Sequence, residues 1–91
     1  MPDPSSTERV VFLRLPQVLA EAGLSRSTLY ARIAQGLWTK PVKLGARSVG
    51  WPASEVAQVN AARLAQLPDD RVGTLVRQLH ASRCAADKVS Q

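Results

Sequence analysis

Three residues, Gly23, Leu24 and Ser25, separate two short stretches of helical periodicity, and this link limits the available folds more than any other feature of the chain. Upstream, Pro16 suits the first turn of a helix, where its missing N–H is no loss, and Val18, Leu19 and Ala22 make the apolar stripe. Gly23 suits the left-handed position just past a helix end, and Leu24 the position that packs back onto that helix. Downstream, the Ser25 hydroxyl can accept from the free N–H groups of a first turn, and Gly36 is the matching stop. Two helices joined this closely form a helix-turn-helix unit. They are too short to close a core by themselves, so the remaining segments must complete it.

On the second helix Leu29 and Ile33, four apart, share the buried face. Ser27, Thr28, Ala31, Arg32 and Gln35 spread over the other side, with Arg26 and Tyr30 on its flank. Small, hydroxylated and cationic, this face can approach a DNA major groove and hydrogen-bond phosphates and base edges. A merely solvated face is the plainer alternative, and the distribution of charge argues against it. Of the formal +5, the part from Arg9 to Trp51 carries seven basic residues against the single acid Glu21, while from Pro52 onward five bases nearly balance four acids. Such a basic half-domain is the footprint of a polyanion binder, because neutralising phosphates releases counterions.

Residues 1–8 hold two prolines and no periodicity and are expected to be unstructured. They lack the basic and apolar regions of a secretory signal, and no apolar run approaches the roughly 20 residues that span a bilayer, so an intracellular protein, away from membranes, is expected. Val10 to Leu13 reads as an extended entry segment able to pair at the edge of a small sheet. Val42-Lys43-Leu44 and Val49-Gly50-Trp51 flank Gly45 to Ser48, the pattern of a β-hairpin wing, with Trp38, Val42, Val49 and Trp51 as core fillers. Arg47 at the hairpin tip, with Lys40, Lys43 and Ser48, is placed to meet phosphates or the minor groove. After Pro52, Ser54-Glu55 opens a third helix with apolar positions Val56, Val59, Leu64 and Leu67, its stripe interrupted by Asn60 and Arg63. Pro68 breaks the chain, Asp69 and Asp70 favour a fresh helix start, and Val72, Leu75, Val76 and Leu79 form a narrow seam. This seam must pack either on its own domain or on another copy, and because three helices and a wing already close a domain, self-association is the favoured expectation. The resulting division is an N-terminal 1–8, a winged helix-turn-helix domain over 9–67, and a helix and tail over 68–91.

Several chemistries find no support. Cys84 and His80 are single, which excludes an intrachain disulfide and a zinc cluster of these residues, so no metal and no cofactor are expected. There is no glycine-rich phosphate loop, no nucleophile with a histidine partner and no evident carboxylate pair, and the chain is not expected to be an enzyme.

Taken in order, Arg14-Leu15-Pro16-Gln17-Val18, Gly23-Leu24-Ser25-Arg26-Ser27-Thr28-Leu29-Tyr30, Ile33, Gly36, Pro41-Val42-Lys43-Leu44-Gly45, Arg47, Val49, Trp51 and Ser54-Glu55-Val56 resemble the AlpA family of prophage regulators. That family is itself similar to phage excisionases and to the DNA-binding head of MerR-type regulators. The resemblance covers about residues 10 to 66 and departs from the family pattern at Thr39, often a proline, and at Asn60, usually apolar. It implies a mainly α, winged helix-turn-helix fold that binds double-stranded DNA, to regulate transcription or to direct a site-specific recombinase toward excision of a mobile element. By position, Ser25, Arg26, Ser27, Thr28, Tyr30 and Arg32 would serve the recognition helix, and Lys43 and Arg47 the wing. Self-association on DNA and contact with an integrase are the partners expected. The competing function is a protein-interaction adaptor that uses the same scaffold to hold an integrase or a polymerase.

Overall fold

The computed structural model describes residues 10–89, and side chains as far as Arg83; the expected unstructured segment 1–8 lies outside the described residues. The elements run β1 (Phe12–Leu13), α1 (Leu15–Ala22), α2 (Arg26–Ala34), β2 (Val42–Lys43), β3 (Val49–Pro52), α3 (Ala53–Leu64) and α4 (Asp69–Val89). This is the mainly helical, winged arrangement expected, with one enlargement. The wing is not a free two-stranded hairpin: β1 joins it in an antiparallel sheet of order β1-β3-β2, with Phe12 opposite Pro52, Leu13 opposite Trp51, and Val42 opposite Gly50.

Local chemistry accounts for the helix ends. Gln17 reaches back to accept the Arg14 N–H at 2.8 Å at the start of α1. Gly23 has φ +67°, and the N–H groups of Gly23 and Leu24 both donate to Leu19 O. Ser25 caps α2, its Oγ accepting from the Thr28 N–H at 3.2 Å. At the other end Gly36 has φ +78°, with Gly36 N–H donating to Ile33 O and Leu37 N–H to Arg32 O, a complete Schellman motif. The end of α3 follows the same pattern, with Gln66 N–H donating to Arg63 O and Leu67 N–H to Ala62 O, but here a non-glycine residue occupies the left-handed position at φ +56°.

The core is built around Trp38 and Trp51, both wholly enclosed, with Val18, Leu29, Val56, Val59 and Val76. The Trp51 indole N–H donates to Thr39 O at 2.9 Å, tying β3 to the segment that follows α2. Thr39 thus sits fully buried, in a role that belongs to its backbone.

Two expectations are corrected. The seam of α4 is not left for a partner: Val72, Val76 and Leu79 are buried in the domain's own core and Leu75 packs against it. Three helices and a wing leave one side of α3 open, and α4 covers it, since a stripe this apolar is stabilised by the nearest apolar surface. Leu64 does not belong to the α3 stripe but stands 87% exposed, and Leu67 is exposed as well. The inward side of that end of α3 is taken instead by Ala62, with half-buried Asn60 and Arg63 beside it.

Gly50 and Gln66 give opposite expectations. A Cβ on Gly50 would lie 2.8 Å from Leu44 Cδ1 and 3.1 Å from Leu13 O, so Gly50→Ala must push β1 away from β3. Urea unfolding should register a loss of about 1–3 kcal/mol. Gln66→Gly relieves a left-handed side chain and should raise stability by about 1 kcal/mol.

Candidate nucleic-acid interface

The turn that sets the attitude of α2 is held from behind. A helix leaves its last carbonyls without intrahelical donors. Here α3 supplies them: Asn60 Nδ2 donates to Glu21 O at 3.0 Å and Arg63 Nη1 to Ala22 O at 2.7 Å. Arg63 Nη1 also donates to Asn60 Oδ1 at 2.9 Å, and its guanidinium lies 5.7 Å from the Trp38 ring centroid. A cation at a helix C-terminus is favoured by the helix dipole. Burial, and secondarily the Arg32 charge, pull the Arg63 pKa below its ordinary value. The two residues that interrupt the α3 stripe in the sequence are therefore what fixes the helix-turn-helix corner.

Of the residues expected on the recognition helix, Arg26, Ser27, Thr28 and Tyr30 are exposed on α2. Ser25 is exposed too, but its hydroxyl is committed, accepting from the Thr28 N–H and donating to Thr28 Oγ1 at 2.9 Å. The Thr28 hydroxyl keeps its own proton free for an outside acceptor. Arg32 departs from the expectation of an open face. It is half-buried, with Nε enclosed and unpartnered among the described residues, and its charge reaches Arg63. Its position marks it as the inner edge of the α2 surface rather than its centre.

On the wing, the N–H groups of Leu44 and Gly45 both donate to Ser48 O, closing the tip and leaving Ala46 and Arg47 exposed. Lys43 and Lys40 are exposed, while Ser48 is half-buried within the turn. The root of the wing is tied to α4: Lys40 N–H donates to His80 Nε2 at 3.1 Å, and Arg83 Nη2 donates to Lys40 O at 2.7 Å. Sequence reasoning assigned nothing to His80, Arg83, Asn60 or Arg63. Their partners are backbone groups 39 to 43 positions away, a relation no local pattern carries.

The electrostatics are one-sided. No acidic residue occurs between Glu21 and Glu55, and Glu55 is buried and paired with Arg83. Among the described residues no carboxylate pairs with Arg26, Lys40, Lys43 or Arg47. Nor, among those residues, does any group of three His, Cys, Asp or Glu gather as a metal site, or any helix prove long and apolar enough to cross a membrane. A groove of about 500 Å³, lined by Val10, Phe12, Val42, Gln58, Leu79 and Ser82 among others, shares no residue with the cationic surface.

The family profile described as Prophage CP4-57 regulatory protein (AlpA) matches residues 11–64, from β1 to the end of α3. An uncharacterized protein, ORF88 of Enterobacteria phage P4, is 45% identical over 65 residues, covering 71% of this chain and 73% of the phage protein. No solved structure matches.

Stability should separate the two kinds of arginine. Arg26→Ala removes only an exposed side chain and should leave the urea midpoint within about 0.5 kcal/mol of the parent. Arg63→Ala leaves the Ala22 carbonyl without its donor and uncovers Trp38, and should destabilise by about 1–3 kcal/mol.

Proposed function

The chain belongs to the AlpA family of prophage regulatory proteins, and from that premise we propose that it acts by binding double-stranded DNA in a sequence-selective way. In this reading α2 enters the major groove, and the wing lies along the adjacent backbone or minor groove. One observation carries the reading: across the 33 residues between Glu21 and Glu55 there are five cations and no acid, and four of those cations, Arg26, Lys40, Lys43 and Arg47, are exposed. A surface of that kind gains affinity from phosphate neutralisation, while Arg26, Ser27, Thr28 and Tyr30 supply the donors that distinguish base edges. The role is regulatory rather than catalytic, exercised in the bacterial cytoplasm at the nucleoid.

Within this function the protein directs a recombinase toward excision of its mobile element, regulates transcription, or does both. One small domain makes few base contacts, so useful affinity calls for several copies on adjacent sites, with an integrase as the natural neighbour in the excision case. The seam of α4 packs within its own domain, so copies assembled along DNA would meet through other surfaces or through the bend they impose on it.

The test is to incubate the purified protein with sheared host DNA and sequence what it retains. Clustered repeats beside an integrase attachment site would assign excision, and a site overlapping a promoter would assign transcriptional control. Absence of retention at low salt would overturn DNA binding in favour of an adaptor role. On the retained site, Arg26→Ala should cost about 1–3 kcal/mol if Arg26 reads a guanine. Arg47→Ala should weaken all sequences alike and make the salt dependence shallower by about one phosphate contact.

A further inference from the structure

The segment that joins α2 to the wing is gripped by α4. The Lys40 peptide donates its N–H to His80 Nε2 and accepts from Arg83 Nη2 on its carbonyl, so both of its polar groups are held by one helix. Arg83 is in turn locked by Glu55 of α3: Nε donates to Oε2 at 2.8 Å and Nη2 to Oε1 at 2.6 Å, on a carboxylate almost shut off from water. Each link is a side chain reaching a group some 28 to 43 positions away, which ties α3, α4 and the wing root into one unit. From this geometry we infer that His80 and Arg83 are positioning residues for DNA binding, which hold the Lys40 peptide so that Lys40, Lys43 and Arg47 meet the duplex together. This inference rests on the DNA-binding reading above.

The grip works only while His80 is neutral. To accept from an N–H, Nε2 must be unprotonated, and the ring proton then resides on Nδ1. Protonating Nε2 would set a donor against a donor. The surroundings oppose it: partial burial first, then Arg83 on α4 and Lys40 before β2, disfavour the imidazolium, with Glu55 of α3 pulling the other way, and the net effect holds the imidazole below its ordinary range. The unfolded chain therefore binds this proton more readily than the folded one. The contribution of the grip is complete above about pH 6.5 and is lost as the pH falls from there through the lower folded value. His80 is the only histidine in the chain, so a transition in that window reports on this residue.

The experiment uses the full chain with His80→Leu and His80→Gln, each confirmed folded by circular dichroism, and a mixed-sequence duplex as the probe at neutral pH. His80→Leu should bind about tenfold more weakly, the equivalent of one lost hydrogen bond. Its log K against log salt should be shallower by about 1 to 3, because each wing phosphate contact contributes about 0.9 to the slope. His80→Gln keeps an acceptor for the Lys40 N–H and should restore both. A purely structural role would not move the salt slope of a folded variant. Hydrogen exchange at the Lys40 amide, read without DNA as a protection factor, should fall on going from about pH 7.5 to about pH 5.5 in the parent and stay constant in His80→Gln. Affinity is not compared across pH, because a charged His80 adds a cation to an already basic protein and strengthens DNA binding irrespective of the wing. A His80→Leu variant with the parent's slope and affinity, or a Lys40 protection factor indifferent to pH in the parent, would overturn the inference and leave DNA binding standing. Should the parent ignore duplex at low salt, the DNA reading fails together with the role in it, and the exchange result decides whether α4 holds Lys40.

Discussion

The fold depends on two side chains of α3 that close the C-terminus of α1. Asn60 and Arg63 donate to Glu21 O and Ala22 O, the carbonyls immediately before the Gly23 corner. Their reach converts a three-residue link, which by itself leaves the angle between two short helices loose, into a joint braced from a third. Arg63 is also stacked near Trp38, so the brace continues into the core at the point where the chain leaves α2. The direction in which Arg26, Ser27 and Tyr30 face follows from that joint, since nothing else among the described residues bonds to the carbonyl end of α1 except the Gly23 and Leu24 amides.

What was legible in the sequence is what short-range chemistry decides. The Ser25 cap and the Gly23 and Gly36 left-handed stops each depend on a residue type at a fixed offset, and each is found where the pattern puts it. The hairpin was legible for the same reason, in apolar runs flanking a glycine-led loop. The misreadings all concern residues whose meaning depends on a distant partner. Asn60 and Arg63 looked like flaws in a stripe because helical periodicity scores a polar residue as outward, whereas a helix end buried nearby makes a donor the right inward residue. Leu64 looked like core because its spacing fits, yet it stands on the side of α3 that faces solvent. The α4 seam has the same periodicity whether it meets its own domain or another copy, and only the open flank of α3 decides between them.

The same division holds for the candidate site. Exposed cations on α2 and the wing followed from composition and position, but Arg32 did not keep its expected place, since position 32 lies over the joint occupied by Arg63. The wing is also less independent than a hairpin read in isolation. β1 pairs along its far strand, the Trp51 indole reaches Thr39, and α4 holds the Lys40 peptide on both sides. These ties join the wing to the segment that follows α2 and to α4, so in the proposed reading a duplex would be met by a surface already held together, with less binding energy spent on ordering a loop.

The central claim is that the basic surface of α2 and the wing is where the duplex lies. Its most direct test is to titrate the isotope-labelled protein with its retained DNA and follow the backbone amide resonances. The account requires the largest shifts over residues 26–32 and 43–48, with smaller ones at Lys40. Shifts concentrated instead on Val10, Phe12, Gln58 and Ser82, around the apolar groove, with the amides of α2 unmoved, would contradict it.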